Sequence, residues 1–163
     1  MTVRGRQART GDALVPEKRE RTRPGEGEGE DGIYKITLDS SVNQKADYLK
    51  GSLYWHFDGS LQKYPNLAAL LRAIKLSDTG GQTEFCNTYA AWDHLPEEEK
   101  RELENLRVMH SAWTSLLYYD PEPSYAKLRE LMGLGEVDLP LVWKHRSGRK
   151  SLVLGCTANH VIG

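Results

Sequence analysis

The sequence predicts a mainly β domain with helical insertions. Three stretches point there. "IYKITL" (33–38) alternates with period two, "KGSLYWHFDGS" (50–60) is rich in aromatics and bounded by glycines, and "PLVWKHRSGRKSLVLG" (140–155) reads as two strands joined at Ser147–Gly148.

Residues 1–32 differ from the rest. Seven basic and seven acidic side chains lie there with few large apolar ones, and "RPGEGEGEDG" is a low-complexity tract. Such a segment buries too little apolar surface to offset its ordering entropy, so a disordered charged leader is expected. Residues 33–163 form the expected domain, opening with the strand "IYKITL" and continuing with a second strand over 50–60. "NLAALLRAIKL" (66–76) is ambiguous, with Ala/Leu content favouring helix. The turn "SDTGG" and a further strand "QTEFCN" (82–87) follow. "NTYAAWDHL" opens a short helix with Asn87 as its cap. In "LPEEEKRELENL", Pro96 suits a first turn and Glu97, Glu98 and Glu99 sit at the positive end of the dipole. Another helix covers "SYAKLRELMG", stopped at Gly133.

With 163 residues, 39% hydrophobic and 28% charged, the chain fits one domain. A net charge of −1 gives no electrostatic reason to expect nucleic acid or an anionic membrane as partner. No apolar run approaches the length of a membrane span, and the N-terminus lacks a secretory pattern. Cys86 and Cys156 are too few and too far apart for a disulfide framework. A cytoplasmic protein, with an oligomer possible, is the expectation.

One short motif carries chemistry. In "WHFDGS", His56 and Asp58 are two apart, and on an extended strand they share a face with Tyr54 and Ser52. An imidazole and a carboxylate so placed can fill two adjacent positions of a metal. A further histidine would complete a facial triad for non-haem iron(II). The same pair also fits a hydrogen-bonded strand end, and a two-residue motif recurs by chance.

The context is more specific. Trp55 precedes His56-x-Asp58; then come "LLRAIKL", "GGQT" and "NTYAAWDHLP", and later "VMHSAW" and "PLVWKHRSGRKSLVLG". These blocks, in this order, resemble the taurine dioxygenase/TfdA family of Fe(II)- and 2-oxoglutarate-dependent dioxygenases, over roughly Ile33 to Gly163. The resemblance implies a double-stranded β-helix (jelly-roll), with 66–76 a strand. It also implies hydroxylation of a small organic substrate, often a sulfonate or aryloxyacetate, by dioxygen. Decarboxylation of 2-oxoglutarate to succinate accompanies that step. His56 and Asp58 become iron ligands and Thr83 helps hold the 2-oxoglutarate carboxylate. Gly80 and Gly81 are turn-makers, while Tyr54 and Ser52 face the substrate by strand alternation.

The family's third ligand is a histidine well over a hundred residues beyond the aspartate, followed by a carboxylate-binding arginine. Only 105 residues follow Asp58. His94, His110, His145 and His160 do not stand in that context. His110 matches a structural strand position, His145 is expected to be exposed beside its turn, and Arg146 and Arg149 to be solvated. The jelly-roll is therefore expected to be partial, incomplete at its C-terminus. The alternative is a non-catalytic fragment, or a metal-binding jelly-roll module without the third ligand.

Overall fold

The computed structural model describes residues 36–43 and 46–162. The proposed leader, and the first residues of the expected strand 33–38, lie outside them. The described residues form two small antiparallel sheets, four short α-helices and a 3-10 helix. In chain order these are a 3-10 helix (Tyr48–Leu53), α1 (Thr88–Asp93), α2 (Glu97–Leu103), β1 (Arg107–Ser111), α3 (Ala112–Tyr119), α4 (Tyr125–Met132), β2 (Glu136–Pro140), β3 (Val142–Lys144), β4 (Lys150–Leu152) and β5 (Ala158–Ile162). No described helix is long and apolar enough to cross a membrane.

Strand β1 is central in a three-stranded sheet of order β2-β1-β5. Val108 pairs with Leu139 on one side and Val161 on the other, and the β1–β5 register slips by a bulge at Met109/His110. Beyond the bulge, the Ser111 N–H donates to the Thr157 carbonyl at 2.9 Å. Strands β3 and β4 form the expected hairpin, with Gly148 at φ 81° in its turn. Hydrogen bonds from Leu141 N–H to the Leu106 carbonyl and from Val153 N–H to the Leu141 carbonyl tie the two sheets together.

Two apolar clusters hold these pieces. Trp92 from α1 meets Val108, Leu141 and Val142 between helix and sheets. Ala112, Leu116 and Leu131 join α3 to α4, with Tyr48 and Leu61 packed against them. That second cluster seats the 3-10 helix. Lys127 of α4 strengthens the seat by pairing with Asp47, just before that helix, and with Asp120 after α3 at 2.8 Å. The Lys127 ammonium holds the Asp47 carboxyl below its ordinary range.

Helix α1 begins where its cap predicts. The Asn87 side chain accepts from the N–H groups of Tyr89 and Ala90. Asn87→Ala is expected to cost about 1 kcal/mol in a urea melt. The loop after α2 adds an acid-sensitive clamp, because Glu104 pairs with Lys144 at 2.8 Å and Lys150 at 2.9 Å, one lysine on each hairpin strand. Those lysines pull the Glu104 carboxyl from 4.5 to about 2. A depressed carboxylate stabilises the fold above its unfolded pKa and stops doing so as pH falls through the folded one. Melting temperature should therefore drop between about pH 4.5 and 2, and Glu104→Gln should make that drop shallower.

Strand expectations fail at four places among the described residues. Residues 50–60 are not a strand; they are the end of the 3-10 helix followed by a bent loop. "NLAALLRAIKL" is irregular apart from one bridge residue, and 82–87 is irregular too, as are the described residues 36–38. Leu67 and Ile74 are 95% and 86% exposed, so the apolar face that would fix a strand's register has nothing to pack on among the described residues. Among the described residues the strands form only a three-stranded and a two-stranded sheet, not a full jelly-roll.

Candidate metal centre

The loop 54–60 starts as the 3-10 helix closes, with Tyr54 N–H donating to the Gly51 carbonyl at 3.1 Å. His56 follows, its Nδ1 2.8 Å from the Tyr54 carbonyl oxygen. A carbonyl only accepts, so Nδ1 carries a proton, and the tautomer this selects places the lone pair on Nε2. Nε2 lies 3.6 Å from Asp58 Oδ1. Gly59 turns the chain away immediately afterwards at φ 82°. A Cβ there would meet Asn66 N at 2.9 Å, so conformation and space both require glycine.

A second segment crosses behind this loop. Cys156 N–H donates to the Trp55 carbonyl at 2.8 Å. A Cβ on Gly155 would stand 3.0 Å from His56 Cα and 3.1 Å from the Trp55 oxygen. The segment 155–157 is thus pressed directly against the backbone of the His56 loop. A cavity of about 290 Å³ opens beside it, lined by His56, Asp58, Ser52, Ser60, Cys156 and Thr157 among others. Burial pushes the Cys156 thiol up, which keeps it protonated at neutral pH.

The proposed site residues are distributed unevenly around this cavity. His56 and Asp58 come together, although on a loop instead of a strand. Ser52 lines the cavity while its hydroxyl donates back to the Leu49 carbonyl at 2.6 Å. Tyr54 turns the other way, its phenol donating to the Tyr118 carbonyl at 2.7 Å. Its backbone carbonyl faces His56, a role strand alternation does not reveal. Thr83 is exposed on an irregular segment and does not line the cavity. Gly80 and Gly81 both have positive φ, as turn residues do.

The remaining histidines are engaged elsewhere or solvent-facing. His94 Nδ1 donates to the Ala90 carbonyl at the end of α1. His145 is only half-buried, correcting the exposure expected of it: its Nε2 is 2.8 Å from Ser151 Oγ and its ring stacks near Tyr89 and Trp143. Arg149, expected to be simply solvated, lies over the Tyr89 ring at 4.2 Å. His160 is exposed on β5. Among the described residues no group of three or more His, Cys, Asp or Glu side chains is placed to hold a metal. His56 and Asp58 bring two donor groups together among the described residues.

Known proteins share this arrangement of chain. The family model for taurine catabolism dioxygenase TauD, TfdA family, matches residues 8–162. The alpha-ketoglutarate-dependent 2,4-dichlorophenoxyacetate dioxygenase of Cupriavidus pinatubonensis is 38% identical over 137 residues, covering 80% of this chain and 47% of that protein. The (S)-phenoxypropionate/alpha-ketoglutarate-dioxygenase of Sphingobium herbicidovorans is 32% identical, covering 82% of this chain and 47% of its own. The crystal structure of AAD-2 in complex with Mn(II) and N-oxalylglycine superposes with a TM-score of 0.64 at 31% identity, over 83% of this chain and 48% of that one. The chain spans about half the length of the curated relatives it matches. A model matched along nearly the whole chain, with relatives above 30% identity, places it: this chain belongs to the TauD/TfdA dioxygenase family.

Proposed function

We propose that the protein carrying this chain is an Fe(II)- and 2-oxoglutarate-dependent dioxygenase, to which this chain contributes His56 and Asp58 as iron ligands. The observation that carries the reading is the oriented pair: a lone pair on His56 Nε2, and Asp58 Oδ1 at 3.6 Å. The donor set fits such an ion. Two atoms each about 2.1 Å from one divalent cation lie at most about 4.2 Å apart, and about 3.0 Å apart when at right angles. The observed separation falls inside that range, and imidazole with carboxylate is the donor chemistry of non-haem iron.

Iron(II), when bound, supplies activation of dioxygen and the oxidising power for hydroxylation. The chain's own contribution is ligation and orientation. The Tyr54 carbonyl keeps the His56 proton on Nδ1, so Nε2 stays available as a donor. The segment 155–157 fixes the loop from behind. Ser52, Ser60 and Thr157 line the cavity beside the pair. Thr83, from the Gly80-Gly81-Gln82-Thr83 block, is proposed to contact the 2-oxoglutarate carboxylate. Two relatives named for phenoxy acids support an aryloxyalkanoate as substrate class.

The test is succinate formation. The protein supplied with Fe(II), dioxygen, 2-oxoglutarate and an aryloxyacetate should release succinate together with hydroxylated product, and His56→Ala should release neither. A second reading, a metal-binding module without turnover, is favoured by the presence of only two donors among the described residues. It predicts metal binding with no succinate.

A further inference from the structure

His110 is fully buried in β1, and the metal-site reading does not use it. Burial lowers its pKa, so the ring is neutral. Its Nδ1 lies 3.0 Å from Thr157 Oγ1, while Nε2 has no hydrogen-bond partner among the described residues. Enclosing an imidazole with one nitrogen unpaired is costly, and a leucine would fill such a place without that cost. The two contacts the ring makes explain what a leucine would lack.

The first contact is with Phe57, the residue between His56 and Asp58. Its ring meets the imidazole edge to face, with centroids 5.6 Å apart and planes at 79°. The second is with Thr157, next to Cys156 and Gly155, which bear on the backbone of Trp55 and His56. One buried side chain therefore grips the metal loop through Phe57 and the segment behind it through Thr157. The donors need such help, because the His56 and Asp58 side chains are 34% and 57% exposed and their own packing does not fix them. Their separation depends on the backbone beneath.

We propose that His110 is a positioning residue for the His56–Asp58 pair, holding Phe57 and the 155–157 segment in register through its ring and its bond to Thr157. This rests on the assignment of that pair as metal ligands. An aromatic replacement would support Phe57 but strand the Thr157 hydroxyl, whereas an amide would hold Thr157 and leave a void beneath Phe57.

The test uses Mn(II) alone as probe, with free ion followed by its EPR signal. Circular dichroism and melting temperature report the fold. His110→Phe is expected to weaken Mn(II) binding about 10-fold with an unchanged spectrum. The paired variant His110→Phe/Thr157→Val leaves no hydroxyl stranded but still lacks the bond, so it should recover melting temperature while binding Mn(II) as weakly as His110→Phe. A merely structural role would restore stability and affinity together, and that result overturns the proposal. A lower melting temperature in folded His110→Phe with unchanged Mn(II) affinity overturns the proposal. Should His110→Phe not fold, the paired variant decides alone: about a 10-fold loss of Mn(II) affinity in the folded paired variant supports the proposal, and affinity within about threefold of the parent overturns it. His56→Ala separates the two levels. If it abolishes binding while His110→Phe does not weaken it, only the positioning role falls; if His56→Ala changes nothing, the ligand assignment falls and takes the positioning role with it.

Discussion

His56→Ala is expected to lower Mn(II) affinity by about 100-fold or more, with the fold left intact. Loss of an outer partner alone commonly costs about 10–100-fold in metal affinity, and loss of one of the two proposed donors should exceed that. The fold should survive because the side chain is a third exposed and belongs to neither apolar cluster. His94→Ala and His160→Ala are the controls. The first side chain is bound to its own helix end and the second is exposed on β5, so neither should change Mn(II) affinity. An isothermal or EPR titration of the three variants decides among them. Equal loss in all three would mean the ion has no preferred site.

Gly155→Ala has the second largest expected effect. The added methyl would sit 3.0 Å from His56 Cα and 3.1 Å from the Trp55 oxygen. Both are backbone atoms, which cannot rotate away as a side-chain tip could. The loop must shift or the 155–157 segment must lift, and either change moves the metal pair. Overpacking of this kind costs about 1–3 kcal/mol. Mn(II) binding should fall about 10-fold, as when a ligand's support is removed. Gly51→Ala makes the contrast, because a Cβ there would find Ser115 Oγ at 3.5 Å, an ordinary contact. A urea melt and a Mn(II) titration on both variants should show Gly155→Ala impaired and Gly51→Ala near the parent.

What the sequence reveals follows from how local its causes are. Asn87, Glu97–Glu99, Gly133 and Ser147–Gly148 act within one turn, and α1, α2, α4 and the β3–β4 hairpin lie where those residues place them. Strands depend on a partner. The aromatic-rich, glycine-bounded stretch 50–60 is no strand because Gly51 packs beside α3, whose Ser115 and Tyr119 lie within reach, and the chain winds into a 3-10 helix there. The apolar run 66–76, helix-favouring in composition and a strand only by the resemblance, is irregular apart from one bridge residue.

The site divides in the same way. The His56–Asp58 spacing is visible at once, and Gly59 stands out as the glycine that ends the motif. The Tyr54 carbonyl is hidden because backbone groups leave no trace in residue type. Gly155, Thr157 and His110 are hidden because they stand far along the chain, His110 53 residues beyond Phe57 and Gly155 99 beyond His56. No periodicity announces a glycine needed only because another backbone passes 3 Å from it.

The most direct test of the two-donor centre is the pattern of Mn(II)-induced line broadening in the NMR spectrum of the isotope-labelled protein. Broadening at low Mn(II) should begin at His56 and Asp58 and spread across the chain to Cys156 and Thr157. The hairpin turn 145–149 should remain sharp. Broadening centred instead on the acidic residues Glu97 to Glu104, with 55–58 and 155–157 unaffected, would contradict the assignment of His56 and Asp58 as the metal-binding pair.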